Sequence, residues 1–143
     1  MYRIYVAGPI DDNNLDKALE WRVEVHDWNP MPDEVEVFDP LRNKDTETII
    51  ARSFGANEIV IRDLEDIDKC DIVLANVPKS DSPKPLFGTP CEIMYAWLHR
   101  KPVVLVTDDP RLSNHYWVNC LCVKILPTVT SALNYIEDYW MKS

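Results

Sequence analysis

Glycine is scarce in this chain: three residues in 143, at Gly8, Gly55 and Gly88. Neither GxGxxG nor a Walker sequence occurs, so the usual backbone cradles for dinucleotides and triphosphates are missing. A serine nucleophile elbow is missing as well. Histidine is equally sparse (His26, His99, His115), and Cys70, Cys91, Cys120 and Cys122 lack paired CxxC spacing. No zinc constellation follows from that set, and neither a metal nor a cofactor is called for. Basic residues are outnumbered, 15 against 24 acidic, for a formal charge of −9. Nucleic acid polymers and anionic membranes need clustered Lys and Arg, so both are excluded as partners. No stretch approaches the roughly 18 consecutive apolar residues of a membrane span. The start, Met1 to Ala7, is strand-like and too short for the apolar region of a signal peptide. Four unpaired thiols without an export signal fit a reducing cytoplasm.

What is present is a 46% hydrophobic chain, long enough for one domain over 1–143 with a real core and too short for two. Residues 2–7 read as a strand ended by Gly8-Pro9. Asn14 is placed to cap a helix over about 15–28, with Leu15, Ala18, Leu19, Val23 and Val25 as apolar contacts, and Asn29-Pro30-Met31-Pro32 stops it. Val35, Val37 and Phe38 make a second strand ending at Asp39-Pro40. Residues 41–55 are polar and weakly patterned, a length of loop that usually serves function. A helix from Ala56 to Lys69 shows Ile59, Val60, Leu64 and Ile67 on one face. Asp71 to Asn76 and Val77 read as a buried strand, and Asp71 as a cap on the turn before it. A loop over 78–88 precedes a helix from Pro90 to about Arg100. Pro102 to Val106 is a further strand, Leu121 to Ile125 a fifth, and a closing helix covers about 129–141. This alternation predicts an α/β fold with a mainly parallel five-stranded sheet. Ligands of such sheets lie beyond the carboxyl ends of the strands. The substrate-binding candidates are therefore Gly8, Pro9, Asp39 and Gly88, with Asp108 and Asp109 nearby, in a pocket rich in carboxylates.

The segment Gly88-Thr89-Pro90-Cys91-Glu92 carries the main candidate for chemistry. With Thr89 as N-cap and Pro90 as first helical residue, Glu92 falls in the first turn, where the helix field favours its ionised form. An ionised, partly desolvated carboxylate at the mouth of a sheet is a nucleophile. The same Thr-x-x-Glu is also a capping box, in which Glu92 only bonds back to Thr89. Asp63 lies three residues after Val60 and four before Ile67, which puts it on the inward side, although helix acids are commonly solvated. Asp66 and Asp68 read as turned to water. Tyr5, near the carboxyl end of the first strand, is either core or placed to orient a carboxylate. Gly8 marks a backbone need, either positive φ or a close approach.

Several segments together resemble the nucleoside 2-deoxyribosyltransferase family. They are Ile4-Tyr5-Val6-Ala7-Gly8-Pro9, the run from Arg62 through Asp63 to Asn76, Gly88 through Glu92 to Ala96, Lys101 to Val106, and Ser113-Asn114-His115-Tyr116-Trp117. They run in order over most of the chain; only the region around 41–55 goes unmatched. The resemblance implies a flavodoxin-like (Rossmann-like) three-layer sandwich and a homo-oligomer with shared active sites. It implies that 2-deoxyribose moves between nucleobases by double displacement, with Glu92 attacking C1′ to form a covalent deoxyribosyl-enzyme intermediate. By the same resemblance Asp63 faces the nucleobase, Tyr5 holds Glu92, and Asn114 reaches the deoxyribose of a neighbouring subunit. Trp117 packs the subunit contact, while Asp39 and Arg42 fall where base-recognition loops lie. The implied partners are small deoxynucleosides and free nucleobases. Two departures stand out: Leu86-Phe87 occupy the place of a sugar-contacting Asp, for which Asp81 is the nearest substitute, and Met94 replaces a Gly two residues after the Glu. The competing expectations are a hydrolytic N-glycosidase of deoxynucleosides or their monophosphates and a non-catalytic nucleoside- or nucleotide-binding module.

Overall fold

The computed structural model of the chain describes residues 1–10, 15–28, 33–41 and 55–142. Five strands, β1 (Tyr2–Ala7), β2 (Val35–Phe38), β3 (Ile72–Asn76), β4 (Val103–Val106) and β5 (Lys124–Leu126), form one sheet. Their order is β2-β1-β3-β4-β5 and every pairing is parallel. The helices are α1 (Leu15–Trp28), α2 (Ala56–Lys69), α3 (Gly88–Leu98), α4 (Pro110–Ser113), α5 (Tyr116–Leu121) and α6 (Val129–Tyr135). The last continues as a π-helical segment, Ile136–Met141. This is the flavodoxin-like strand order, whose switch point lies between β1 and β3.

Period-two alternation along the central strands builds the three layers. Ile4, Val6, Ile72, Leu74, Val104 and Val106 face one way, against Trp21 and Val25 of α1 and Val129, Ala132 and Leu133 of α6. Tyr5, Ala7, Val73, Ala75, Val103 and Leu105 face the other, against Ile67 of α2, Ala96 of α3 and Cys122. All five residues of β3 are buried, which accounts for its unbroken apolar character. Each fully buried aliphatic side chain contributes about 1.5–3 kcal/mol relative to exposure, so both layers are firmly held. The consequence for the site is local: alternation turns Tyr5 toward α2 and α3.

Several expectations are corrected. On α1 the buried stripe is Leu15, Ala18, Trp21, Arg22 and Val25, whereas Val23 is 54% exposed because it lies about 100° around the helix from that stripe. On α2, Val60 is exposed along with Ala56–Glu58 and Ile61, since the first turns stand outside the packed layer. Asp66 does not face water but is buried, three residues on from Asp63 and beside Ile67 on the inward face. Asp71 caps no turn; it accepts the Arg3 N–H at 2.7 Å and ties the start of β3 to β1. Leu121 ends a helix instead of opening the fifth strand: α5 runs from Tyr116 to Leu121, capped where the His115 ring accepts the Trp117 N–H at 3.1 Å. The fifth strand accordingly starts at Lys124. Helix α3 ends at Leu98, and Arg100 takes φ 60°, the left-handed position usually held by glycine after a helix. There the Lys101 N–H reaches back to the Ala96 carbonyl at 2.8 Å. Asn14, Asn29 to Pro32, Arg42 and nearly all of the 41–55 loop lie outside the described residues.

Candidate active site

The carboxyl ends of β1 and β3 deliver two loops to the switch point, Gly8–Ile10 and 77–87. They are joined: the Lys84 ammonium donates to the Ile10 carbonyl at 2.8 Å. Gly8 needs no positive φ. It is glycine because a Cβ there would lie 2.8 Å from the Asn76 carbonyl oxygen and 3.0 Å from the Trp21 ring. The close approach is thus to this chain's own backbone.

Thr89 does not cap α3. The helix begins at Gly88, Phe87 occupies the N-cap position without a side-chain hydrogen bond, and Thr89 is buried in the first turn. Glu92 is then the fifth helical residue, beyond the first turn, so the helix field acts on it less than the sequence suggests. A capping box is excluded by where the carboxylate goes. Glu92 Oε2 accepts the hydroxyl of Tyr5 from across 87 residues of sequence. Tyr5 itself is 0% exposed. A Cβ on Gly88 would meet nothing within 4 Å, so the helix starts beside open space.

The electrostatics of this pair are coupled to two other charges. Burial raises the Glu92 carboxyl to a pKa of about 7; the Tyr5 hydrogen bond pulls down, the Asp63 charge pushes up, and the Arg22 cation pulls down. Burial also drives the Tyr5 hydroxyl far above its ordinary range, helped by the negative charges of Glu92 and Asp63. Tyr5 is therefore a permanent donor to Glu92. Three elements supply these groups: β1 gives Tyr5, α2 gives Asp63, and α3 gives Glu92. Such a cluster can hold a carboxylate ionised near neutral pH in a partly dry site, with a second acid close by. Paired carboxyl groups of this kind suit attack at a sugar carbon and proton exchange with a leaving group.

The other expected carboxylates are placed differently. Asp39 is buried, paired to Arg22 at 3.1 Å, within 3.3 Å of His26 Nε2, and accepting the Leu41 N–H at 2.9 Å. Asp108 accepts the Lys79 N–H at 2.7 Å, and Asp109 caps α4 while holding Arg111. These acids hold loops at the rim. Asp81 and Phe87 are exposed in the loop before α3, and Met94 is partly buried. Asn114 stands on the surface at the end of α4, next to Tyr116 and Trp117, which are 77% and 54% exposed. Pro9 is exposed at the β1 exit.

Sequence reasoning missed Arg22. The available signal was an arginine inside the buried stripe Ala18-Arg22-Val25, with an aspartate waiting at the end of the next strand. Its guanidinium is 2% exposed. Among the described residues no group of three His, Cys, Asp or Glu is arranged to hold a metal ion, and no helix is long and apolar enough to cross a membrane.

The family model for nucleoside 2-deoxyribosyltransferase matches residues 4–123. Among solved structures, the chain is similar to a 2-deoxyribosyltransferase from Leishmania mexicana, at TM-score 0.70 and 19% identity over 98% of this chain and 99% of that one. It is similar to the 2-deoxyribosyltransferase of Bacillus psychrosaccharolyticus at TM-score 0.63 and 20% identity, over 93% and 91% of the two chains. A Clostridium botulinum CMP N-glycosidase matches at TM-score 0.58 and 18% identity, over 96% and 99%. At these identities the likeness carries the fold alone. No curated protein matches the chain.

Proposed function

The chain belongs to the nucleoside 2-deoxyribosyltransferase family, and from that premise we propose that it moves 2-deoxyribose between nucleobases by double displacement. The observation that carries this reading is the Tyr5–Glu92 hydrogen bond, with Asp63 beside it. A Glu92 oxygen attacks C1′ as the C1′–N bond breaks, and the bond's electron pair stays on the base nitrogen. Asp63, in its protonated form, gives that nitrogen a proton or a hydrogen bond, and the sugar is left as an ester of Glu92. A second base then attacks C1′, the ester C1′–O bond breaks, and the carboxylate returns. Any proton given to the first base is recovered from the second. Tyr5 holds the carboxylate at the attacking angle throughout. In this reading the substrate sits at the switch point, near Gly8, Pro9, Asp39 and Gly88.

Chromatography of the protein incubated with thymidine, with and without adenine, tests the reading. Deoxyadenosine that appears only when adenine is present is the expected result. Thymine release with no new nucleoside would replace exchange by hydrolysis, the reaction class named for the C. botulinum neighbour. Silence with thymidine and with deoxynucleoside monophosphates would leave a binding module.

Asn114 belongs to this proposal as a residue lent to a neighbouring subunit. Its exposed position, flanked by the apolar surfaces of Tyr116 and Trp117, suits a contact between copies. Glu92→Ala and Asn114→Ala proteins, each inactive alone, should regain exchange when mixed, since a mixed oligomer contains some intact sites. Mixtures that stay silent although light scattering shows subunits have exchanged would remove Asn114 from the site.

A further inference from the structure

Arg22 lies on α1, on the opposite side of the sheet from Glu92, yet its side chain reaches over the carboxyl edge of β1. Its Nε donates to Ala18 O at 3.1 Å, one turn back on its own helix. Nη1 donates to Val6 O at 3.4 Å and to Asp39 Oδ1 at 3.1 Å, and Nη2 donates to Gly8 O at 3.3 Å. The residues on either side of Ala7, the last of β1, are thus held by one planar group. Only a guanidinium offers that many donors in a fixed fork; an ammonium would satisfy fewer of these acceptors. Burying a charge this deeply is costly, and a structural tie between α1 and β1 could be made by apolar packing at less expense. The charge therefore calls for a use.

We propose that Arg22 is a positioning residue of the active site: it clamps the carboxyl end of β1 so that the Tyr5 hydroxyl meets Glu92, and it sets a fixed positive charge behind that carboxylate. This inference rests on the functional reading above only for its effect on turnover. The charged and titratable groups bearing on Glu92 are Tyr5 from β1, Asp63 from α2 and Arg22 from α1. Arg22 is the one cation of the three, and its influence opposes both burial and Asp63. Burial lowers the affinity of Arg22 for its own proton, while the neighbouring Asp39, Tyr5 and Glu92 raise it. A guanidinium stays charged under these conditions, so the field it applies does not change over the working pH range. Asp39 pairs with the same nitrogen that reaches Val6, and His26 shares its other oxygen, which fixes the clamp from the β2 side.

The test reads Glu92 directly. Protein carrying carboxyl-labelled 13C-glutamate is titrated by NMR, with the Glu92 signal identified by its loss in Glu92→Gln. Arg22→Met should raise the Glu92 midpoint by about 0.5–1 pH unit. Arg22→Lys, which keeps the charge and loses the fork, should leave the midpoint near wild type while kcat for base exchange falls about tenfold or more. Because Arg22→Met leaves Asp39 facing a lost cation, the double variant Arg22→Met with Asp39→Asn serves as the folded control and should show the same raised midpoint. An unmoved midpoint in both Met variants, or unchanged exchange in Arg22→Lys, overturns the inference. A raised midpoint in a protein whose wild type exchanges no bases would support the electrostatic role of Arg22 and overturn the functional reading, so the two failures are separable.

Discussion

Glu92→Ala should lower base exchange by at least about 10³-fold with the fold retained, because it deletes the proposed nucleophile. Circular dichroism and thermal unfolding report on the fold, and mass spectrometry on the chemistry. Wild-type protein mixed with a deoxynucleoside should gain the mass of one deoxyribosyl group, and the variant should gain nothing. Ordinary exchange rates in Glu92→Ala would end the nucleophile assignment. The same carboxylate predicts a pH dependence. In the proposed reaction only ionised Glu92 attacks, so kcat/KM should rise with pH through about 7, the value to which burial lifts it.

That raised value also acts on stability. An unfolded glutamate ionises near pH 4.3, while folded Glu92 holds its proton to about pH 7. Between these values the folded chain binds more protons than the unfolded one, so stability falls as pH rises through the window. Above it, ionised Glu92 costs the fold on the order of 3–4 kcal/mol. Glu92→Gln, neutral at every pH, should therefore melt higher than wild type at pH 8 and close to it at pH 5. A variant that is inactive yet more stable is the signature of a group kept for function against stability. A merely capping Glu92 would instead lose stability on substitution.

Asp63→Asn is expected to reduce turnover by about 10²–10⁴-fold, the range for a positioned proton donor. Asparagine can still hydrogen-bond to the base but has no proton to give. The loss should therefore depend on the leaving group. With a base that departs without protonation, such as 7-methylguanine from its deoxynucleoside, much of the rate should return. An equal loss with both substrates would mean that Asp63 acts on geometry or on Glu92 alone. Part of the effect will pass through Glu92 in any case: removing the negative charge of Asp63 lowers the Glu92 pKa, which moves the acid limb of the profile downward.

The strands and most helices were readable because each rests on local pattern. Continuous apolar runs gave β3 and β4, and helical spacing with flanking breakers gave α1 and α2 at their observed limits. Where the local signal was shared, the reading went astray. The run Leu121 to Ile125 is equally apolar as strand or helix, and His115, by capping α5, decided the matter. Asp63 could be nominated because period 3.6 states which face a helical residue takes, and Tyr5 because it lies near the carboxyl end of β1.

The sequence by itself determined the alternation of strands and helices and the shortage of glycine that rules out a phosphate cradle. Only the tertiary structure decided what Glu92 bonds to. Thr-x-x-Glu is a sufficient capping box on paper, and the competing partner, Tyr5, is 87 residues away, beyond any local pattern. Arg22 was hidden for the same reason. Three of its four hydrogen bonds exist only where α1, the end of β1 and the end of β2 converge. Sequence periodicity reports which way a side chain turns; the group it meets there depends on the long-range packing that also strips away water and moves the proton on Glu92.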